Sequence, residues 1–246
     1  MTLRNRYILT YHKCGSNWFR NIFGKIAELR GMNWRVTPYS AAKVNEPVDR
    51  ASAETITIIR GGGEDALLEA GYERGQPCVR CIRDPRDALI SQYWSWKNSH
   101  HNNTPEILEG REVFADATQK DSLLWLIDRR KLMMERQVSN LDRAIYPDIV
   151  DIRYERLLEN FADGLAPALD HLRLDLSADE VEEIRVACSF EKKTRRKPGE
   201  IDTSHHLRRG QAGEWREVFD DDIKAAFKAA YGQFVVDLGY APDERW

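Results

Sequence analysis

The stretch from Tyr7 to Ile26, YILTYHKCGSNWFRNIFGKI, carries a short apolar run through a turn with one glycine and directly into an amphipathic helical pattern. This is the layout of a phosphate-binding loop, in which a strand delivers its carboxyl end to the N-terminus of a helix. Tyr7 to Tyr11 reads as the strand, Ser16 or Asn17 as the N-cap, and Trp18, Ile22, Phe23, Ile26 and Leu29 recur at helical spacing up to Gly31. Lys13, however, stands before the glycine. The nucleoside triphosphate loop G-x-x-x-x-G-K-[ST] is therefore absent, and the anion held here is a different one.

The remaining chain repeats the alternation. Strands are expected at Thr55 to Ile59, Pro77 to Ile82 and Asp148 to Ile152. Helices are expected from Pro85 through Ala88 to Trp96, and over Leu123 to Leu141, Leu157 to Leu172, Ala178 to Ala187 and Ile223 to Leu238. Ser99 to Pro105 reads as a polar loop. Lys192 to Gln211 lacks apolar periodicity and reads as a long surface loop. Strands alternating with helices imply an α/β fold with a parallel sheet of about five strands covered on both faces. The 246 residues form one domain on this reading, with no repeat or low-complexity linker.

Composition narrows the class of function. With 42% hydrophobic and 31% charged residues and no long apolar run, no membrane span is expected. Two arginines precede Tyr7 without an apolar signal core, which points to the cytoplasm. A net charge of −3 gives no global basic field, so nucleic acid is not an expected partner and any anion site is local. Cys14, Cys78, Cys81 and Cys188 are too few for a disulfide framework and read as reduced thiols.

Ligands of open parallel sheets bind at the carboxyl ends of the strands, where Lys13 to Trp18 and Arg83 to Asp87 both fall. Gly15 lets a backbone approach an anion, the amides of Ser16, Asn17 and Trp18 open a helix, and Lys13 adds a full charge. Trp18 offers a flat face for a base. In IRDPRDALISQYW, Arg83 sits at a strand end and Ser91 follows eight residues later; a guanidinium fork and a hydroxyl both suit a phosphate. The alternative for this stretch is a surface arginine-aspartate network with a helix-capping aspartate. A third element, HLRRGQAGEW, offers Arg208, Arg209 and Gly210. Each element alone is also explained as a tight turn or a solvated loop.

Together, in this order, they resemble the sulfotransferases that use 3'-phosphoadenosine 5'-phosphosulfate (PAPS). HKCGSNW is similar to the family's K-x-G-[ST]-[TN]-W, Arg83 to Ser91 to its R-[ND]-x-[RK]-D-x-x-x-S, and RRGQAGEW to its R-K-G-x-x-G-[DE]-W, with Arg209 in place of lysine. RYERLLEN and CSFEK are weaker matches that point to Tyr154, Ser189 and Phe190. The resemblance implies a P-loop-like sulfotransferase fold and transfer of a sulfuryl group from PAPS to a hydroxyl or amine of a small-molecule, lipid or glycan acceptor. Lys13, Cys14, Gly15, Ser16, Asn17 and Trp18 are then expected around the 5'-phosphosulfate and adenine, Tyr154 at the adenine, Ser189 and Phe190 packed on the nucleotide, and Arg83, Ser91, Arg208, Arg209 and Gly210 at the 3'-phosphate. Lys13 is the expected catalytic cation, and no metal is implied. A nucleotide-dependent kinase and a PAPS-binding protein without transferase activity are the alternatives.

The chain departs from the family pattern where a histidine usually serves as general base. IIRGGGEDALLEAG holds none, so Glu64 and Asp65 are the candidates, with His12 in reserve. The family's dimer segment is not matched by REVFDDDIKAAF, so dimerisation by that route is not expected. Cys78 and Cys81 read as buried strand thiols, since no second pair completes a zinc site. Cys14, beside a lysine and an anion loop, is a candidate for a lowered pKa. His100-His101 and His205-His206 read as loop residues. KKTRRK, Lys192 to Lys197, is expected to belong to a lid over 192–211 that steers an anion. Trp94 and Trp96 either line an acceptor pocket or pack in a core.

Overall fold

A computed structural model of the chain describes residues 5–37, 54–100, 104–203 and 208–246. His101, His205 and His206 lie outside them, as do residues 204–207 of the expected lid. The chain divides into two compact units, Met1–Arg83 with Arg136–Lys193, and Asp84–Glu135 with Thr194–Trp246.

The first unit holds a sheet of five parallel strands: β1 (Asn5–Thr10), β2 (Asn33–Thr37), β3 (Thr55–Arg60), β4 (Cys78–Ile82) and β5 (Val150–Arg153), in the order β2-β3-β1-β4-β5. β1 is central, with Leu9 opposite Ile59 on one side and Arg80 on the other. The connections leave β1 toward β2 and β3 on one flank and toward β4 and β5 on the other. The order reverses between β1 and β4, the place where α/β sheets open a ligand crevice. β2 is an addition to the strands expected from the sequence. It is an edge strand with only Val36 buried, so it has no apolar alternation to detect.

The helix α1 (Ser16–Leu29) lays Phe19, Ile22, Phe23 and Ile26 against Ile8, Ile56, Ile58 and Val79, all buried. Leu165, Ala168 and Leu172 of the helix Phe161–Leu172 and Ile184 of Ala178–Ala187 complete this core. Each such large side chain contributes roughly 1.5–3 kcal/mol. The N-cap differs from expectation: it is Gly15, left-handed at φ 84°, while the Ser16 hydroxyl donates to the Tyr11 carbonyl at 2.9 Å. The segment read as one helix over Leu157 to Leu172 is two, Tyr154–Glu159 and Phe161–Leu172, because the Asn160 side chain caps the second by accepting from the Asp163 N–H. Glu64 and Asp65 form the first turn of the short helix α2 (Glu64–Glu69).

In the second unit α3 (Pro85–Trp94) begins where expected, with Pro85 in its first turn and Asp84 as cap, and passes into a π-helical turn at Ser95–Ser99. The helix read over Leu123 to Leu141 is broken between Gln119–Asp128 and Met133–Ser139. Gln92, fully buried, holds the break by donating to the Lys131 carbonyl and accepting from the Met133 N–H. A helix at Pro105–Asp116 was not expected, since only Ile107, Gly110 and Phe114 are buried along it. The stretch read as a loop from Lys192 starts inside a helix, Phe190–Thr194, and Gly199 and Asp202 then donate to the carbonyls of Arg209 and Arg208. Asp221–Asp237 is the last helix. No helix among the described residues is long and apolar enough to cross a membrane.

Candidate anion-binding site

In the first unit the carboxyl ends of β1, β4 and β5 carry the predicted residues of the loop Lys13 to Trp18 together with Arg83 and Tyr154. After β1 the chain turns at Tyr11 to Cys14, with the Cys14 N–H donating to the Tyr11 carbonyl. Lys13 and Gly15 both take positive φ, 64° and 84°. The lysine is thus held in a conformation that L residues rarely adopt, which throws its backbone into the loop. The Gly15 carbonyl accepts from the N–H groups of Trp18 and Phe19, which leaves those of Ser16 and Asn17 at the open end of the helix, where the dipole favours an anion.

Arg83, the residue after β4, donates from Nη1 to the Lys13 carbonyl at 3.2 Å, and its guanidinium lies 4.7 Å from the ring centre of Tyr154, the residue after β5. Tyr154 also meets Trp18 edge to face at 5.3 Å. A methyl group on Gly15 would come within 2.9 Å of the Tyr154 ring, so the loop requires glycine for close approach as well as for φ. One lysine, one arginine, free helix amides and two aromatic rings therefore share a small region, a composition that suits a phosphorylated nucleotide. Ser189, by contrast, is engaged at its own helix end: its hydroxyl donates to the Val186 carbonyl and accepts from the Lys192 N–H. Phe190 opens the next helix.

Cys14 corrects one expectation. Its thiol is fully buried, and that burial pushes its pKa up to about 12, against a smaller downward pull from Arg83. The nearby positive charge does not make it reactive. Cys78 and Cys81 are buried strand thiols as expected, and burial raises both.

The candidate bases differ in setting. Glu64 accepts from the Tyr146 hydroxyl at 2.5 Å, a bond that raises the tyrosine pKa, and its N–H donates to the Asn140 carbonyl. Asp65 is exposed. His12 is buried, with its N–H donating to Gln137 Oε1 at 2.8 Å. Gln137, Asn140 and Tyr146 thus brace the candidates; polar residues after a helix gave no sequence signal for this.

The second unit carries its own cluster on α3. Asp87, Ser91 and Trp94, four and three residues apart, share one helix face. The third motif runs along that face: the Asp87 carboxylate accepts from the N–H groups of Gly213 and Trp215 at 2.6 and 3.0 Å, and the Arg208 guanidinium stands 5.4 Å over the Trp94 ring. The third motif is thus tied to α3 through Asp87, and its Arg208 is stacked on Trp94 of that helix. Arg208 is paired with Glu214, and Arg209 forks onto Glu217 at 2.9 and 3.0 Å. Trp96 is core, fully buried.

The arginine-aspartate network of this motif is buried, where the sequence suggested a surface one. Asp84 accepts from Arg86 at 2.8 and 2.7 Å, and the Arg86 guanidinium lies against both Trp215 and Trp246, 3.8 and 4.4 Å from their ring centres, in the corner that the two edge-to-face rings form. Among the described residues no three His, Cys, Asp or Glu side chains are grouped as metal ligands.

The sulfotransferase domain pattern matches residues 77–239, about two thirds of the chain, which includes the second and third motifs. The fold is similar to that of mouse sulfotransferase SULT7A1 complexed with PAP, at 15% identity, covering 98% of this chain and 88% of that one with a TM-score of 0.59. It is similar too to retinol dehydratase in complex with androsterone and inactive cofactor PAP, at 14% identity, covering 99% and 83% with a TM-score of 0.60. No curated protein sequence matches the chain.

Proposed function

Because the chain belongs to the sulfotransferase domain family, and so carries PAPS-dependent sulfotransferase activity, we propose that it moves the sulfuryl group to a hydroxyl or amine of a small-molecule, lipid or glycan acceptor and releases adenosine 3',5'-bisphosphate. The observation that carries the reading is the loop Lys13–Gly15, with Arg83 bonded to its backbone and laid over Tyr154. These groups fit the donor: Ser16 and Asn17 amides and Lys13 for the 5'-phosphosulfate, and Trp18 and Tyr154 for the adenine. For the 3'-phosphate the family motifs imply Arg83, Ser91, Arg208, Arg209 and Gly210 as ligands.

In the reaction the acceptor oxygen or nitrogen forms a bond to sulfur as the bond from sulfur to the phosphate oxygen breaks. The acceptor proton passes to a base, and the electron pair stays on the departing bisphosphate. Positioning and charge stabilisation supply most of the acceleration in such in-line transfers. Lys13 offsets the charge that gathers on the departing phosphate oxygen. Glu64, Asp65 and His12 are the proposed bases, and Glu64 is the one whose carboxylate is oriented by a hydrogen bond. Single alanine replacements identify the base: the correct one lowers turnover by at least about tenfold. A set that all stay above that limit excludes the three.

The donor assignment is tested by thermal unfolding with adenosine 3',5'-bisphosphate, ATP and AMP. At about 100 times its Kd the bisphosphate adds about 2.7 kcal/mol, a shift of several degrees. An equal shift with ATP overturns the assignment and favours a kinase-like nucleotide site.

A further inference from the structure

The carboxylate of Asp87 is 1% exposed, and each of its oxygens accepts from a different backbone N–H of the third motif, Oδ2 from Gly213 and Oδ1 from Trp215. The two donors lie on either side of a bend in which Gly213 is left-handed at φ 84°. A buried ionised carboxylate is costly unless its acceptors are filled, and two short charge-assisted bonds to fixed amides fill them. Asp87 is separated by 126 and 128 residues from the groups it binds, so the bonds fix a long-range arrangement and not a local turn. The segment so anchored begins at Arg208, and its arginines are held by carboxylates of the same segment, Glu214 and Glu217. Four residues along α3 from Asp87, on the same face, stands Ser91.

We propose that Asp87 is a positioning residue for donor binding: it never touches the nucleotide, but fixes the backbone of Gly213 to Trp215 so that Arg208, Arg209 and Gly210 are presented to the donor's 3'-phosphate. The inference rests on the function proposed above and deepens it, by tying recognition of one phosphate to a buried acid one turn away. Asparagine at this position keeps the shape of the side chain and one acceptor, and turns an amide toward the second N–H.

The test compares dissociation constants for adenosine 3',5'-bisphosphate and AMP in the wild type, Asp87→Asn and Asp87→Ala. Both variants are expected to bind the bisphosphate about tenfold or more weakly while AMP changes by less than about twofold. A merely structural role lowers the unfolding midpoint and weakens both ligands alike, and that result overturns the proposal, as does an unchanged preference for the bisphosphate. A wild type without such a preference overturns the donor reading itself. Hydrogen exchange of the unmodified protein gives a readout independent of variant folding. The bisphosphate, and not AMP, slows exchange in the peptide covering 208–215; equal protection by both ligands, or none, contradicts the proposal.

Discussion

Replacing Lys13 by methionine lowers the rate of sulfuryl transfer by about 10²–10³-fold, the loss that follows removal of one preorganised charge from a site where charge develops. The methionine keeps the length of the side chain and has no charge, and the left-handed backbone at φ 64° stays equally unfavourable for either residue. The unfolding midpoint and bisphosphate affinity should therefore change far less than turnover. Arginine restores the charge with a planar fork in place of a compact ammonium, so Lys13→Arg is expected to fall between the two. The measurement is single-turnover transfer from PAPS with the donor saturating. A methionine variant within tenfold of the wild type removes Lys13 from the chemistry and leaves it as a loop residue.

Arg86→Ala is expected to cost about 3–5 kcal/mol of stability, the largest single loss among the charged residues of the second unit. Arg86 is 2% exposed, and its guanidinium engages both oxygens of Asp84 and packs on the rings of Trp215 and Trp246. Removing it leaves a buried carboxylate without its cation and takes one packing contact from each of two tryptophans. The double replacement Asp84→Ala with Arg86→Ala should be milder than the sum of the single ones, because no charge is stranded; the helix cap provided by Asp84 is lost in either case that removes it, at about 1 kcal/mol. Chemical denaturation of the four proteins gives the coupling. Loss of less than about 1 kcal/mol in the arginine variant would contradict burial of an unpaired charge as the cause.

Much of the fold lay open in the sequence where local pattern and burial agree. The run from Tyr7 to Ile26 announces a buried strand, a tight turn and an amphipathic helix, and the structure has all three, since α1 packs its apolar stripe on the strands that flank β1. Pattern fails where a distant residue decides the backbone. The helix break before Met133 depends on Gln92, some forty residues earlier, and β2 is an edge strand with one buried side chain. The cap of α1 is a glycine because Tyr154 needs the space, a requirement that no window around Gly15 contains.

The candidate site divides in the same way. Lys13, Arg83 and the arginines of the third motif are recognisable by type and spacing. Their support is not: Asp87 and Glu214 occupy motif positions and Glu217 follows them, but only the fold shows the first buried on two backbone amides and the others paired with arginines. Tyr146, which orients Glu64, is equally silent, for its partner lies 82 positions away.

The burial of all four thiols has a practical consequence. Cys14, Cys78, Cys81 and Cys188 are shielded from solvent and shifted away from the thiolate, so the native protein offers a maleimide dye no ready point of attachment. A single substitution such as Ile201→Cys, at a side chain 56% exposed within the stretch 192–211, supplies one. Fluorescence from that position can then report on this segment during nucleotide binding in an otherwise unaltered chain, with none of the natural cysteines removed.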